Sequence, residues 1–191
     1  AQALVNQIQS IEGDGGWQWR FEQAKLWFGF EENAFESKYS EAVSLLQQNL
    51  RSNGRDQGSR HRLAAIYSKA GRVSLAADVR LDALSLEPDN LYNVVSAVSA
   101  LQDAGKVDEA NNILKRAAKQ HLRHPYLDRL QVYSYLQQGS MASAATLMES
   151  VWKDDPNNIS NALMLAGLQI GQGQYDASTR ILSQIKDTTL D

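Results

Sequence analysis

The sequence predicts an all-α protein in which pairs of helices repeat along the chain. Apolar residues at helical spacing flank four glycines that recur every 34 residues, namely Gly71, Gly105, Gly139 and Gly173. Only three prolines occur in 191 residues, so long stretches are free to be helical. No apolar run approaches the roughly 18 residues of a membrane span, and we expect the helices to pack on one another.

The first helix of each pair is predicted from the residue that caps it. Asp56, Asn90 and Asn158 can accept hydrogen bonds from the N–H groups that lack a partner inside the helix. His124 has the same place in the register, and Pro125 after it is tolerated in a first turn. The glycine that ends each first helix is expected to have a positive φ, which glycine adopts with least strain.

The second helix of each pair is predicted to follow the glycine. Its expected caps are Ser40, Ser74, Asp108 and Asp176, and Pro88 and Pro156 end it where they occur. One position on these helices always holds a small residue: Ala76, Ala110, Ala144 and Ser178. We expect close contacts between helices there, because a larger side chain would overpack them.

These signals together predict eleven helices and no strand. The expected ranges are 1–12, 17–34, 38–52, 57–70, 74–87, 91–104, 108–121, 125–138, 142–154, 159–171 and 175–187. Apolar stripes predict the buried faces of the first helices, such as Leu63, Ala64 and Tyr67 on one of them.

Aromatic residues are concentrated near the beginning of the chain, where seven of the eight Trp and Phe residues lie within 17–35. On a helix they form two roughly opposite stripes, which include Trp17 with Phe21 and Trp19 with Phe30. A helix that is apolar on two sides is expected to lie between two neighbours, here 1–12 and 38–52. The alternative is that these aromatic residues bind a ligand.

The repeated helix pair, with its Gly, Ala and Pro columns, resembles the tetratricopeptide repeat (TPR) family. The segments 86–90 and 155–158, which read LEPDN and DPNN, look like the turns between its repeats. The resemblance covers 57–187 in register and 38–56 as the second half of an earlier unit. It implies one array over 1–191, with 1–56 as a degenerate first part and four repeats in 57–187. The implied fold is a right-handed α-α superhelix, a solenoid of about five repeats.

The resemblance implies a scaffold that binds a protein or peptide in a concave groove, with neither catalysis nor a cofactor. First helices line this groove, and the register then places these candidate site residues in it: Arg62, Lys69, Tyr92, Ser99, Gln102, Tyr126, Arg129, Tyr133 and Gln137, with His61, Ser160, Leu163 and Gly167 beside them. The family's clamp for chaperone tails needs Lys, Arg and Asn at two offsets. These offsets hold Trp27, His61, Val95 and Arg129, and Glu31, Ala65, Ser99 and Tyr133, so that ligand is not expected.

One part of this groove is expected to be an aromatic patch around a cation. Tyr126, Arg129 and Tyr133 are spaced i, i+3, i+7 and share one helix face, and Tyr92 lies 34 residues before Tyr126. Tyr and Arg often anchor interfaces, so an extended or helical segment with apolar and acidic residues is the expected ligand. The alternative is that these tyrosines only pack against neighbouring helices.

Composition excludes several other functions. The net charge of −3 opposes binding to nucleic acid, and the absence of Cys excludes thiolate chemistry. His121 and His124 are three residues apart, but no cluster of carboxylates accompanies them, so no metal site is expected. Arg51, Arg55 and the run 60–62 form the main basic concentration, which is expected to be a solvated turn or a contact for an acidic partner.

Two other roles stay open at this stage. One alternative to the scaffold is a tethering segment of a longer protein, such as an export or enzyme-associated protein, and the other is a self-association module. Its beginning, Ala-Gln-Ala, fits either cleavage of a leader or a trimmed boundary. With the absence of Cys, this slightly favours a bacterial periplasm or cell envelope location over the cytoplasm.

Overall fold

The computed structural model describes residues 1–120, 122 and 124–188, and within them the chain forms eleven α-helices and no strand. The helices are α1 (Gln2–Glu12), α2 (Trp17–Phe28), α3 (Glu32–Ser52), α4 (Gln57–Lys69), α5 (Val73–Leu86), α6 (Leu91–Asp103), α7 (Val107–Lys119), α8 (Pro125–Gln137), α9 (Met141–Asp154), α10 (Ile159–Gly171) and α11 (Tyr175–Thr188). The predicted all-α class and the order of the helices are confirmed.

The helices form two compact units. Unit 1 (Ala1–Ala104) contains α1 to α6, and unit 2 begins at Gly105 and contains α7 to α11. In each unit, every helix packs against the next one along the chain, and in unit 1 α2 also contacts α4. This last contact is between the first helices of consecutive pairs, as expected for stacked repeats.

Each unit has its own hydrophobic core. In unit 1, Ala24, Phe35, Leu46, Leu63 and Tyr67 belong to one buried cluster. In unit 2, the corresponding cluster includes Val132, Ala144, Met148, Leu165 and Ala166. The column of small residues is buried as predicted: Ala76, Ala110, Ala144 and Ser178.

The predicted capping of the first helices is confirmed. The side chains of Asp56, Asn90 and Asn158 accept hydrogen bonds from N–H groups in the first turns of α4, α6 and α10. His124 does the same for α8, which begins at Pro125. The four glycines of the repeat have φ between 68° and 74°.

The predicted caps of the second helices are wrong. The N–H of Arg72, which follows Gly71, donates to the carbonyl of Tyr67 at 2.8 Å. The N–H of Ser140, which follows Gly139, donates to the carbonyl of Tyr135 at the same distance. This turn closes so tightly that the next helix begins directly after it. Ser74, Asp108 and Asp176 therefore lie in the first turns of α5, α7 and α11, and Ser40 lies inside α3.

The boundary between α2 and α3 also differs from the predicted ranges 17–34 and 38–52. α2 ends at Phe28, because the N–H groups of Gly29 and Phe30 bond to carbonyls only three residues earlier. α3 begins at Glu32 instead of residue 38, and its additional turn places Phe35 in the core of unit 1. α2 packs between α1 and α3, as expected from its two apolar stripes.

Candidate partner-binding surfaces

Three side chains of α8 form an exposed surface in unit 2, which we call the α8 patch: Tyr126, Arg129 and Tyr133. Tyr126 is 59% exposed and Tyr133 is 48% exposed. The guanidinium carbon of Arg129 lies 5.6 Å from the centre of the Tyr126 ring, within the range of a cation–π contact. The Nε of Arg129 is buried and has no hydrogen-bond partner among the described residues. The patch thus presents aromatic surface beside an arginine that a ligand could engage.

The cap of α8 fixes one edge of this patch. The Nδ1 of His124 accepts a hydrogen bond from the backbone N–H of Tyr126 at 3.2 Å. The two rings then stack, with centres 5.2 Å apart and planes 11° from parallel. Because His124 is tied to the helix and stacked on the ring, Tyr126 is held in place before any ligand binds.

A second group of polar and aromatic side chains lies in unit 1, and we call it the Arg80 cluster: His61 of α4, Arg80 of α5 and Tyr92 of α6. The Nη1 of Arg80 lies 3.0 Å from the Nδ1 of His61 and 3.4 Å from the hydroxyl oxygen of Tyr92. The His61 and Tyr92 rings meet edge to face, with their centres 4.7 Å apart. Tyr92 is 56% exposed. Three helices therefore bring a guanidinium, an imidazole and a phenol together at the surface.

Burial and neighbouring charges both change the pKa of His61 in this cluster. Partial burial is the main cause that lowers the pKa of His61 below the ordinary histidine value, and the positive charge of Arg80 adds to it. The neighbouring Arg60 acts in the same direction, whereas Glu87 acts in the opposite one. A neutral His61 can accept the hydrogen bond of Arg80 at Nδ1, and its other ring nitrogen, Nε2, then carries the proton.

Lys69, a predicted groove residue, has a structural position instead. Its Nζ donates to the backbone carbonyls of Phe28 and Phe30 at 2.6 and 2.7 Å, at the end of α2. It also lies 4.5 Å from the centre of the Phe35 ring. The expectation that Lys69 is free to bind a ligand is corrected, because the carbonyls left unpaired at the end of α2 attract its positive charge.

Arg62 lies next to the same aromatic residues. Its guanidinium carbon is 4.9 Å from the centre of the Phe28 ring, and its Nε is buried and has no hydrogen-bond partner. Arg62 is therefore a cation beside an aromatic ring, as Arg129 is in unit 2.

Comparisons with known proteins agree with this architecture. Residues 135–191 match the family model described as tetratricopeptide repeat. Among solved structures, a tetratricopeptide repeat protein from Parabacteroides merdae ATCC 43184 has a TM-score of 0.73 and 9% identity, over 96% of this chain and 70% of that one. The chain has the TPR fold. MamA from Desulfovibrio magneticus RS-1 has a TM-score of 0.67 and 15% identity, over 94% of this chain and 99% of that one. No curated protein matches the sequence.

Arg80 is unusual for its place in the TPR register. The sequence contains this signal, but our sequence reasoning missed it. Arg80 shares its place in the 34-residue repeat with Leu46, Leu114, Met148 and Leu182. All four of these residues are apolar, and all but Leu182, which is 37% exposed, are buried. A charged residue at a place that these repeats fill with an apolar and mostly buried one is the informative departure.

The remaining predicted groove residues of the TPR array differ in exposure. Gln137, Ser160, Leu163 and Gly167 are exposed, and Ser99 is half-buried. Gln102 is only 5% exposed, which corrects the expectation that it faces the groove. It follows Leu101 and lies one turn after Val98, both buried, so it belongs to the buried face of α6. Tyr92 lies in unit 1 and the α8 patch in unit 2, so a single patch that joins them stays a prediction.

Within residues 1–120, 122 and 124–188, no group of three or more His, Asp or Glu side chains has an arrangement that could hold a metal ion. Of the two histidines spaced as a metal pair, His121 and His124, the first lies outside the described residues. In the same part of the chain, every helix is too short or too polar to cross a bilayer.

Proposed function

We propose that this protein is a non-catalytic scaffold that binds a protein or peptide partner. The α8 patch is the observation that carries the proposal. Its tyrosines expose large rings on a rigid helix, and a side chain with few rotatable bonds loses little entropy on binding. Arg129 adds a charge beside these rings. We infer that the partner presents an extended or helical segment with apolar and acidic residues.

The TPR fold supports this proposal because stacked helix pairs form their surface before a ligand arrives. A preformed surface has less conformational freedom to lose on binding, so more of the contact energy appears as affinity. The side chain of Tyr126 illustrates this, since the stacked ring of His124 already holds it.

The test is a double substitution of Tyr126→Ala and Arg129→Ala. The purified wild-type protein and the variant are each exposed to an extract of the source organism, and retained proteins are identified by mass spectrometry. The matched control is Tyr175→Ala with Arg180→Ala, which removes the same residue types from exposed positions on α11. We expect a partner that the wild type and the control retain and that the α8 variant loses, at an unchanged unfolding midpoint. Retention of the same partner by the folded α8 variant would place the binding surface elsewhere.

A second candidate function is self-association, which the exposed apolar side chains of α1 favour. Leu4 and Ile11 are both exposed, and a cleft of about 570 Å³ between α1 and α2 is lined by Leu4, Val5, Ile8, Leu26 and Phe30 among others. If a second copy covers this face, sedimentation velocity should show a dimer at high protein concentration. Leu4→Glu should then abolish it, and a monomer at all concentrations would exclude this role.

A further inference from the structure

We propose that the Arg80 cluster binds a carboxylate of an acidic segment that also carries apolar residues, so that unit 1 recognises a partner protein by its charge. This goes beyond the proposed function, because it assigns a ligand chemistry to His61, Arg80 and Tyr92 in unit 1, whereas the α8 patch belongs to unit 2. It does not depend on the α8 patch being a binding surface.

Arg80 is a charged residue at a place in the repeat that Leu46, Leu114 and Met148 fill with a buried apolar side chain. An apolar residue avoids the desolvation cost that a partly buried guanidinium incurs. The arginine instead reaches from α5 to Tyr92 on α6, where its charged group meets exposed aromatic surface. A residue type that stabilises the fold less well than the alternative, and that ends at the surface, indicates a ligand.

The donors of the Arg80 cluster have a geometry that suits a carboxylate. Both contacts of Arg80 within the cluster are made by Nη1. A guanidinium has further N–H groups on Nη2 and Nε, in the planar arrangement that binds a carboxylate through two hydrogen bonds. With His61 accepting at Nδ1, the N–H on its Nε2 is another donor. The exposed ring of Tyr92 supplies the apolar surface for the neighbouring side chain of the segment.

Positive charge lies beside the cluster. α4 carries Arg60, His61, Arg62 and Lys69 and has no Asp or Glu. The carboxylate that acts on His61, Glu87, accepts hydrogen bonds from the side-chain amides of Asn90 at 2.8 Å and Asn93 at 3.5 Å. Glu87 therefore already has partners on the neighbouring turn and helix. The positive charges of Arg60 and Arg80, which both act on His61, are complementary to a segment that carries carboxylates, and such complementarity raises both selectivity and the rate of association.

The experiment uses a short peptide of alternating Glu and Leu, blocked at both ends and carrying an uncharged fluorophore. Its binding to the full chain is measured by fluorescence anisotropy at low ionic strength, beside a peptide in which Gln replaces every Glu. We expect the Gln peptide to bind at least about tenfold more weakly than the Glu peptide, as for the loss of a charge-assisted hydrogen bond. Sodium acetate at the same carboxylate concentration should not displace the Glu peptide, which separates a peptide site from a site for free anions.

The decisive variant is Arg80→Leu, which introduces the leucine that other repeats have at this place, as at Leu46 and Leu114. We expect it to keep or raise the unfolding midpoint and to lower the affinity for the Glu peptide to that of the Gln peptide. Arg116→Leu makes the same charge change at an exposed position on α7 and should leave the affinity within about twofold. If Arg80→Leu does not fold, Tyr92→Ala replaces it in the assay, because that side chain is exposed and outside the core.

Three results would overturn the proposal: equal binding of the two peptides, an unchanged affinity of the folded Arg80→Leu variant, or no binding of the Glu peptide. The α8 patch is proposed to bind a segment of the same kind, so Arg80→Leu is also measured in the background of Tyr126→Ala with Arg129→Ala. In that background the patch no longer contributes, and the loss caused by Arg80→Leu tests unit 1 alone. The two proposals therefore fail separately.

Discussion

The side-chain amide of Asn49 in α3 donates a 2.9 Å hydrogen bond to the backbone carbonyl of Trp17 at the beginning of α2. The same amide nitrogen lies 3.3 Å from the hydroxyl of Ser59 in α4, and the Oδ1 of Asn49 accepts from Arg20 at 3.4 Å. One buried polar side chain thus joins three helices of unit 1. It stands where Ala83 and Ala117 stand in later repeats, so it is specific to the aromatic part of the chain.

We predict that Asn49→Ala destabilises the protein by roughly 1–3 kcal/mol, because it leaves the buried groups around it without partners. The free energy of unfolding from denaturant titration measures this effect. Asn33→Ala, at an exposed position of the same helix, is the control and should change stability by less than about 0.5 kcal/mol. Equal effects of the two substitutions would contradict a role for the buried network.

Ala110→Leu should destabilise unit 2 by about 1–3 kcal/mol, since Ala110 is fully buried in the column of small residues and a larger side chain overpacks the contact. Ala118→Leu on the same helix places the identical change at an exposed position. Thermal unfolding of the two variants compares them directly. An unchanged midpoint for Ala110→Leu would show that α7 has more room at this contact than the repeat implies.

Gly139→Val should cost about 1–2 kcal/mol or more, because Gly139 has a φ of 70° and a β-branched residue is strained there. No atom lies within 4 Å of the place that a Cβ would occupy, so the cost comes from the backbone alone. Gly139→Asn should be milder, since Asn tolerates this conformation better. Gly54→Val, at an equally open site without a positive φ, controls for the added side chain. Similar unfolding free energies for the two valine variants would exclude backbone strain as the cause.

The parts of the structure that could be predicted are those that depend on neighbours in sequence. The cap at Asp56 and the turn at Gly71 follow from backbone groups within a few residues, so the register places them correctly. The side chains of Lys69 and Arg80 could not be placed in this way. Lys69 is drawn to carbonyls at the end of another helix, and the direction of Arg80 depends on where α4 and α6 lie. Register alone therefore predicts the helices but not the contacts that their exposed side chains make.

The titration of His61 should occur at lower pH than that of an ordinary histidine, which is about 6.5. Since the folded state holds the proton more weakly than the unfolded chain, the unfolded chain gains more protons as the pH falls below that value. Stability should therefore decrease as the solution is acidified through this window. NMR titration of the imidazole measures the pKa directly, and Arg80→Leu should raise it because one of the two main causes is removed. A His61 titration at or above the ordinary value would contradict the contact with Arg80.

Lys69→Met should reduce stability and leave ligand binding unchanged, because the ammonium group bonds to the end of α2 instead of facing a partner. The loss should be about 1 kcal/mol, since the two hydrogen bonds to Phe28 and Phe30 are exposed to water. Met keeps most of the length and apolar surface of the side chain, so the change removes mainly the charge and its donors. Lys119→Met, at the exposed end of α7, makes the same change away from these carbonyls and should have little effect. Denaturant titration gives the stability, and the affinity for the Glu peptide is measured in parallel. A Lys69→Met variant of wild-type stability that bound the peptide more weakly would return Lys69 to the binding surface.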